Sequence, residues 1–162
     1  MENAIRIYTD GAASGNPGPG GFGIVLLFGS KKKELSHGFR LTTNNRMELL
    51  AVIVALESLK SEAYPVVVYS DSKYVTEAVN QGWVFAWEKK QFHNKANVDL
   101  WLRFLPVYRK YTPKFIWVKG HAENIFNNRC DELAVAASKN KDLGIDIAFE
   151  RMKEAEANRL GF

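Results

Sequence analysis

The chain has 162 residues, with 22 Lys and Arg against 18 Asp and Glu, a formal net charge of +4. That length suits one compact domain and little more, and 46% hydrophobic with 25% charged residues excludes disorder as the global state. No apolar run approaches bilayer-spanning length, the start has no basic-then-apolar leader, and the lone Cys130 excludes an internal disulfide and a cysteine-rich zinc site, so a cytoplasmic, reducing setting with no membrane association is the expectation.

Residues 5–10 alternate in strand fashion and run into a Gly/Asn/Pro turn at 11–21. Residues 22–28 form an apolar strand, 29–33 a hairpin connection and 34–41 a third strand, together an antiparallel meander. A helix follows over 44–60, where Asn45 and Glu48 have capping-box spacing. Its body, residues 49–56, is apolar nearly all round, as in a helix buried against a sheet. The β-branched run at 65–69 reads as a central parallel strand. Residues 72–80 read as a helix, 83–97 as an aromatic and basic segment, helical at first and then a loop, and 98–111 as a further helix. A strand is expected at 114–118, and Asn127 or Asn128 caps a helix running to about 139. Residues 146–160 form either an amphipathic helix or a loosely held tail. The order predicts an α/β domain: a five-stranded mixed sheet with helices on both faces, right-handed crossovers and parallel neighbours after the meander. No repeat or linker divides the chain, so residues 1–140 read as the domain and 141–162 as its tail.

Charge is unevenly spread. Residues 83–119 carry eight Lys/Arg against two acids, a local +6, which leaves the rest of the chain at −2. A basic block interleaved with aromatics fits a polyanion, although a solvated lysine-rich face explains the charge alone equally simply.

Four acids stand at element ends. Asp10 closes the first expected strand and Asp71 the fourth, so parallel pairing places both at one carboxyl edge of the sheet, where open α/β sheets bind ligands. Glu48 and Asp131 are expected in the first turns of their helices. Each has a plain explanation in capping, the helix dipole or turn formation. Collectively they are able to meet at one edge, and such a cluster needs a cation. All-oxygen donors favour Mg²⁺ or Mn²⁺ over zinc. Metals that join carboxylates to a phosphodiester would reconcile an acidic site with a basic protein. The run Gly18-Pro-Gly-Gly-Phe-Gly23 fits a dinucleotide fingerprint, but a strand follows it rather than a helix, so that reading is rejected in favour of a hairpin that lets backbone approach a ligand closely.

The segments Thr9-Asp10-Gly11, Gly15–Gly21, Thr42–Leu49, Ser70-Asp71-Ser72, Trp117–His121 and Arg129–Ala134 resemble bacterial ribonuclease HI in order and spacing, over most of the chain. The resemblance implies a ribonuclease H-like fold and an endoribonuclease that hydrolyses the RNA strand of an RNA–DNA hybrid. It implies that Asp10, Glu48, Asp71 and Asp131 hold two Mg²⁺ ions, with Mn²⁺ as a substitute, against the scissile phosphate. One ion would activate water for in-line attack and the other stabilise the leaving 3′ oxygen, giving 5′-phosphate and 3′-hydroxyl ends. His121 matches a histidine assisting proton transfer or product release. With water as nucleophile, the 2′-hydroxyl serves as a recognition mark. Asn16, Asn44 and Asn45 match minor-groove contacts, and Thr43 and Asn97 a DNA-phosphate pocket. Trp83 and Trp87 match aromatics of the DNA channel, and Lys89, Lys90 and Lys95 a basic protrusion, though core packing and solvated lysines are the plain alternatives. A monomer is expected.

The sequence departs from the family in several places. The protrusion is short. Lys73 stands where Gln is common, exchanging a minor-groove contact for a phosphate contact. Leu41 replaces a familiar Arg, with Arg40 beside it as a substitute, and the loop 122–127 lacks the usual Gly and Pro-Glu pattern. A non-catalytic hybrid-binding module is disfavoured by retention of all four acids, and a DNA-cutting nuclease or transposase core by the asparagine-rich motif and the lack of further domains.

Overall fold

The computed structural model describes residues 3–120 and 123–161. Five strands and six helices follow in the order β1 (Ile5–Ala13), β2 (Gly18–Phe28), β3 (Lys31–Thr42), α1 (Asn44–Glu57), β4 (Val66–Ser70), α2 (Lys73–Asn80), α3 (Trp83–Lys89), α4 (Val98–Tyr111), β5 (Lys114–Trp117), α5 (Ile125–Ser138) and α6 (Ile147–Arg159). The sheet order is β3-β2-β1-β4-β5. The meander strands pair antiparallel, while β4 lies parallel to both β1 and β5. This is the expected α/β arrangement. No helix among the described residues is long and apolar enough to cross a membrane.

Two apolar layers hold the sheet. On one face the buried helix α1 presents Leu49, Val52, Ile53 and Leu56, all fully buried, against Ile7, Ile24 and Val68. Trp101 and Phe104 of α4 extend this layer. On the other face α5 packs Cys130, Phe126 and Leu133 against Tyr8, Val25 and Leu27. Cys130 is buried and free. α5 comes very close to the sheet because the strands beneath it carry glycine. A Cβ on Gly21 would lie 2.6 Å from the Ala134 carbonyl oxygen, and one on Gly23 would collide with the Cys130 carbonyl. The glycine run therefore admits a helix of the protein itself. The expectation of a turn over the whole of 11–21 is corrected: the hairpin is formed, but Gly18, Gly20, Gly21 and Gly23 are strand residues, paired through Gly20↔Ala13 to Gly23↔Asp10.

The boundaries differ from expectation where non-local pairing decides them. β1 does not end at Asp10; it continues to Ala13 because β2 still pairs with it there. α1 is capped by Thr43, whose hydroxyl accepts from the Arg46 N–H at 3.2 Å, and not by Asn45. α5 starts at Ile125, with the Asn124 side chain accepting from the Phe126 and Asn127 N–H groups, so neither Asn127 nor Asn128 is its cap.

The C-terminal segment is helical and docked on β3. The Gly144 N–H donates to the Gly38 carbonyl at 2.9 Å, and the Arg40 N–H donates to the Gly144 carbonyl at 3.0 Å. Phe149 is buried, and Glu150 grips Arg40 with two hydrogen bonds of 2.8 and 2.9 Å. Below Phe149 lies Arg46, 3% exposed, with Asp146 and Asp99 on either side.

Candidate active site

The register Thr9↔Ser70 is the last of the parallel pairing between β1 and β4. Asp10 and Asp71 are the next residues on each chain, so their carboxylates leave the same sheet edge side by side. Gly11 lets the start of α1 come down on β1 here, since a Cβ would overlap the backbone of Met47 and Glu48. That contact places Glu48 beside the two aspartates. Carboxylate oxygens of Asp10, Glu48 and Asp71 all lie within 4.8 Å of one another. Asp131 lines the same cavity of about 410 Å³. It does so from the seventh residue of α5, not the first turn, because the helix begins earlier than its sequence suggests.

This geometry is electrostatically unfavourable without a counter-charge. Burial, and then the neighbouring Asp71 charge, push the Asp10 carboxyl up to about 8. Burial, followed by the charges of Asp10 and Asp71, raises Glu48 well above the ordinary carboxylate range. Glu48 Oε1 is buried without a hydrogen-bond partner. A buried acceptor left unsatisfied carries a substantial penalty, and clustered hard oxygen donors suit a Mg²⁺-like ion. The residues therefore fit a divalent cation. His121 lies outside the described residues. Gly120 before it abuts the cluster: a Cβ there would sit 2.7 Å from Asp71 Oδ2.

The asparagines expected to meet substrate also hold the rim together. Asn16 Oδ1 accepts from the Asn44 N–H at 3.1 Å, and Asn44 Oδ1 accepts from the Ala13 N–H at 2.6 Å. These bonds clamp the β1–β2 turn to the start of α1. Asn45 is exposed on the cavity wall. Thr43 is committed to capping α1 through its hydroxyl.

A second cavity of about 360 Å³ adjoins the first; Lys73 and Tyr74 line both. Trp83 and Trp87 line the second, together with Lys95 and Ala96. Trp83 is 46% exposed, whereas Trp87 packs edge-on against Trp101 with centroids 5.9 Å apart. The Lys95 ammonium stands 4.9 Å over the Trp87 ring. Asn97 adopts a left-handed backbone, φ 61°, and donates to the Tyr74 hydroxyl at 3.0 Å. Lys89 and Lys90 are exposed at the end of α3 and line neither cavity. Arg40, beside Leu41, is paired with Glu150 at the surface.

Tyr74 and Arg46 were not among the expected site residues. The Tyr74 hydroxyl accepts from both Asn97 and Trp101, joining the two cavities. Arg46 donates twice to Asp99 and twice to Asp146, with a longer 3.4 Å contact to Asn97. An arginine inside an apolar helix signals a buried ion pair, but its partners are 53 and 100 residues away in the chain. A further concavity of about 710 Å³ lies elsewhere, between Ile5, Leu26, Leu59 and Tyr64, and its apolar floor offers no carboxylate cluster.

The RNase H family model matches residues 2–139. The Ribonuclease H of Trichodesmium erythraeum is 52% identical over 151 residues, covering 90% of this chain and 96% of that protein. The Ribonuclease H of Desulforamulus reducens is 53% identical over 148 residues, covering 88% and 92%. Among solved structures, LC9-RNase H1, described as a type 1 RNase H with the type 2 active-site motif, superposes with a TM-score of 0.76 at 27% identity over 85% of this chain and 73% of that one.

Proposed function

The chain belongs to the RNase H family, whose members hydrolyse the RNA strand of RNA–DNA hybrids, and we propose that it does so at the Asp10–Glu48–Asp71–Asp131 cluster with divalent metal ions as cofactor. The observation that carries this reading is the convergence within 4.8 Å of two buried carboxylates and a partly buried third, one of them with an unsatisfied oxygen. Asp10, Glu48 and Asp71 would hold the metal, with Asp131 reaching it from α5. Two Mg²⁺ ions, or Mn²⁺ in their place, would supply positive charge at the scissile phosphate and acidify the attacking water.

The protein's own groups do the remaining work. The Asn16–Asn44 clamp fixes the rim over which the hybrid's minor groove passes, with Asn45 beside it. Thr43 and Asn97 receive the DNA strand, whose sugars run along Trp83 and Trp87. Lys89 and Lys90 add diffuse, salt-sensitive attraction. Most of these contacts address shape and backbone, which gives weak sequence preference. His121 assists proton transfer at the leaving group or release of product. Water is the attacking group, so products carry 5′-phosphate and 3′-hydroxyl ends. The protein acts as a monomer in a reducing compartment, with residues 1–140 as the catalytic domain and 141–162 as an appended segment.

The test is cleavage of labelled RNA–DNA hybrid, double-stranded DNA and single-stranded RNA in Mg²⁺ or EDTA. Metal-dependent loss of only the hybrid's RNA strand is the expected result. Tight hybrid binding without cleavage in Mg²⁺, or in Mn²⁺ in its place, would replace the enzyme by a binding module, and cleavage of DNA would refute the substrate assignment.

A further inference from the structure

Lys73 occupies the ridge between the two cavities and lines both. It is the first residue of α2, immediately after the cap Ser72 and two residues beyond Asp71. Its ammonium sits 5.0 Å over the centre of the Trp117 ring. Trp117 is itself held in place, its Nε1–H donating to the Asp71 carbonyl oxygen at 3.0 Å. Among the described residues no carboxylate is in ion-pair contact with Lys73. Glu77 lies one turn further along the same helix, and the acid cluster shares the cavity, yet neither captures it. An aromatic face positions a cation without neutralising it. Lys73 therefore presents an oriented positive charge, without an ion-pair partner among the described residues, between an acidic cavity and an aromatic channel.

The chemistry of that charge narrows its ligand. An ammonium is a compact, strongly hydrated point charge that suits phosphate oxygens. Reading a base edge needs only a neutral amide. On the assumption that this protein cleaves hybrids as argued above, we propose that Lys73 binds a non-bridging oxygen of a phosphodiester near the scissile one, and thereby sets affinity and register of the hybrid on the metal site. Because Lys73 faces both cavities, that phosphodiester belongs either to the RNA strand over the carboxylates or to the DNA strand in the tryptophan channel. The ligand chemistry is the same in both cases.

The test uses the full chain as parent, Lys73→Gln, Lys73→Arg and, as a charge-matched control on the C-terminal helix, Lys153→Gln. Lys73→Gln should raise KM for the hybrid by about tenfold, one charge-assisted contact, with kcat changed less than about twofold and an unchanged thermal midpoint. The salt dependence of log(kcat/KM) should flatten by about 0.7–0.9, the loss of one phosphate contact. Lys73→Arg should restore both quantities, and Lys153→Gln should match the parent. Hybrids with single neutral methylphosphonate linkages, scanned along the RNA strand and then the DNA strand, locate the contact. At one linkage the parent should weaken about as much as Lys73→Gln does, and the variant should not weaken further. A parental KM and salt slope in Lys73→Gln, or failure of Lys73→Arg to restore them, would overturn the proposal. A loss confined to kcat would also overturn it. A parent that leaves the hybrid intact in Mg²⁺ would overturn the hydrolase reading itself, a result separate from any change between variants.

Discussion

Removing Asp146 tests whether the C-terminal segment is a structural part of the domain. Arg46 is buried, and its guanidinium makes paired hydrogen bonds of 2.7 and 2.8 Å to Asp146 and of 2.7 and 2.9 Å to Asp99. Burial opposes the charge on Arg46, but the bonds from Asp99 and Asp146 outweigh it and hold the guanidinium more basic than usual. Asp146 also accepts from the Thr42 hydroxyl at 2.7 Å. In Asp146→Ala all three bonds are lost, and part of a buried guanidinium is left facing a void. Breaking a buried pair from one side costs about 3–5 kcal/mol. Asp99 still neutralises the charge, so the lower end, about 3 kcal/mol, is the expected loss. For a domain of this size that lowers the melting midpoint by about 6–12 °C. Equilibrium urea unfolding measures the loss directly. Glu150→Gln, which cuts the exposed Arg40–Glu150 pair instead, should leave the transition almost in place. A midpoint for Asp146→Ala within about 1 kcal/mol of the parent would refute the reasoning, because no more than a surface pair would then have been removed.

Asp10→Asn should abolish turnover while the fold persists, as judged by circular dichroism and activity; near-normal activity would remove Asp10 from the metal site. The same variant has a stability signature. Asp10 rises from 3.8 to about 8 in the folded protein, so the native state binds the proton more tightly than the unfolded chain does, and stability in EDTA should fall as pH rises between about 4 and 8. Urea midpoints across that range should show a flatter decline for Asp10→Asn than for the parent. Gly23→Ala places a methyl into the Cys130 carbonyl and should destabilise by about 1–3 kcal/mol or more; an unchanged melting curve would mean that α5 does not lie as close to β2 as described. His121→Ala should slow turnover without eliminating it, with KM little changed in steady-state cleavage, and full activity would remove His121 from the reaction.

Much of this fold is legible in local pattern. The β-branched run at 65–69 has no polar face because both sides of β4 are covered, and the nearly all-apolar stretch of α1 is buried on every side. Asp10, Glu48 and Asp71 lie on or directly beside elements whose types could be read from periodicity, and pairing of β1 with β4 then brings the two aspartates to one edge. Less legible were the places where a residue has two competing partners. Asn45, Asn127 and Asn128 all have capping chemistry, yet Thr43 and Asn124 do the capping, and a spacing rule does not rank such rivals. The glycine run suggested a loop because glycine is flexible, whereas its use here is the absence of a side chain under α5.

The sequence by itself determined the class of the fold, the antiparallel-then-parallel order of its strands and the four acids that are candidates for one site, since each depends on hydrophobic period and turn chemistry within a few residues. Only the tertiary structure decided that β1 continues past Asp10, that Asp131 approaches from the second turn of α5, and that Arg46 is satisfied by Asp99 and Asp146. Tertiary structure alone also places Lys73 over Trp117, with no ion-pair partner among the described residues. Each of these depends on which groups distant in the chain are brought within a few ångströms, and in a buried or crowded place that proximity, not the residue's own preference, sets the energy.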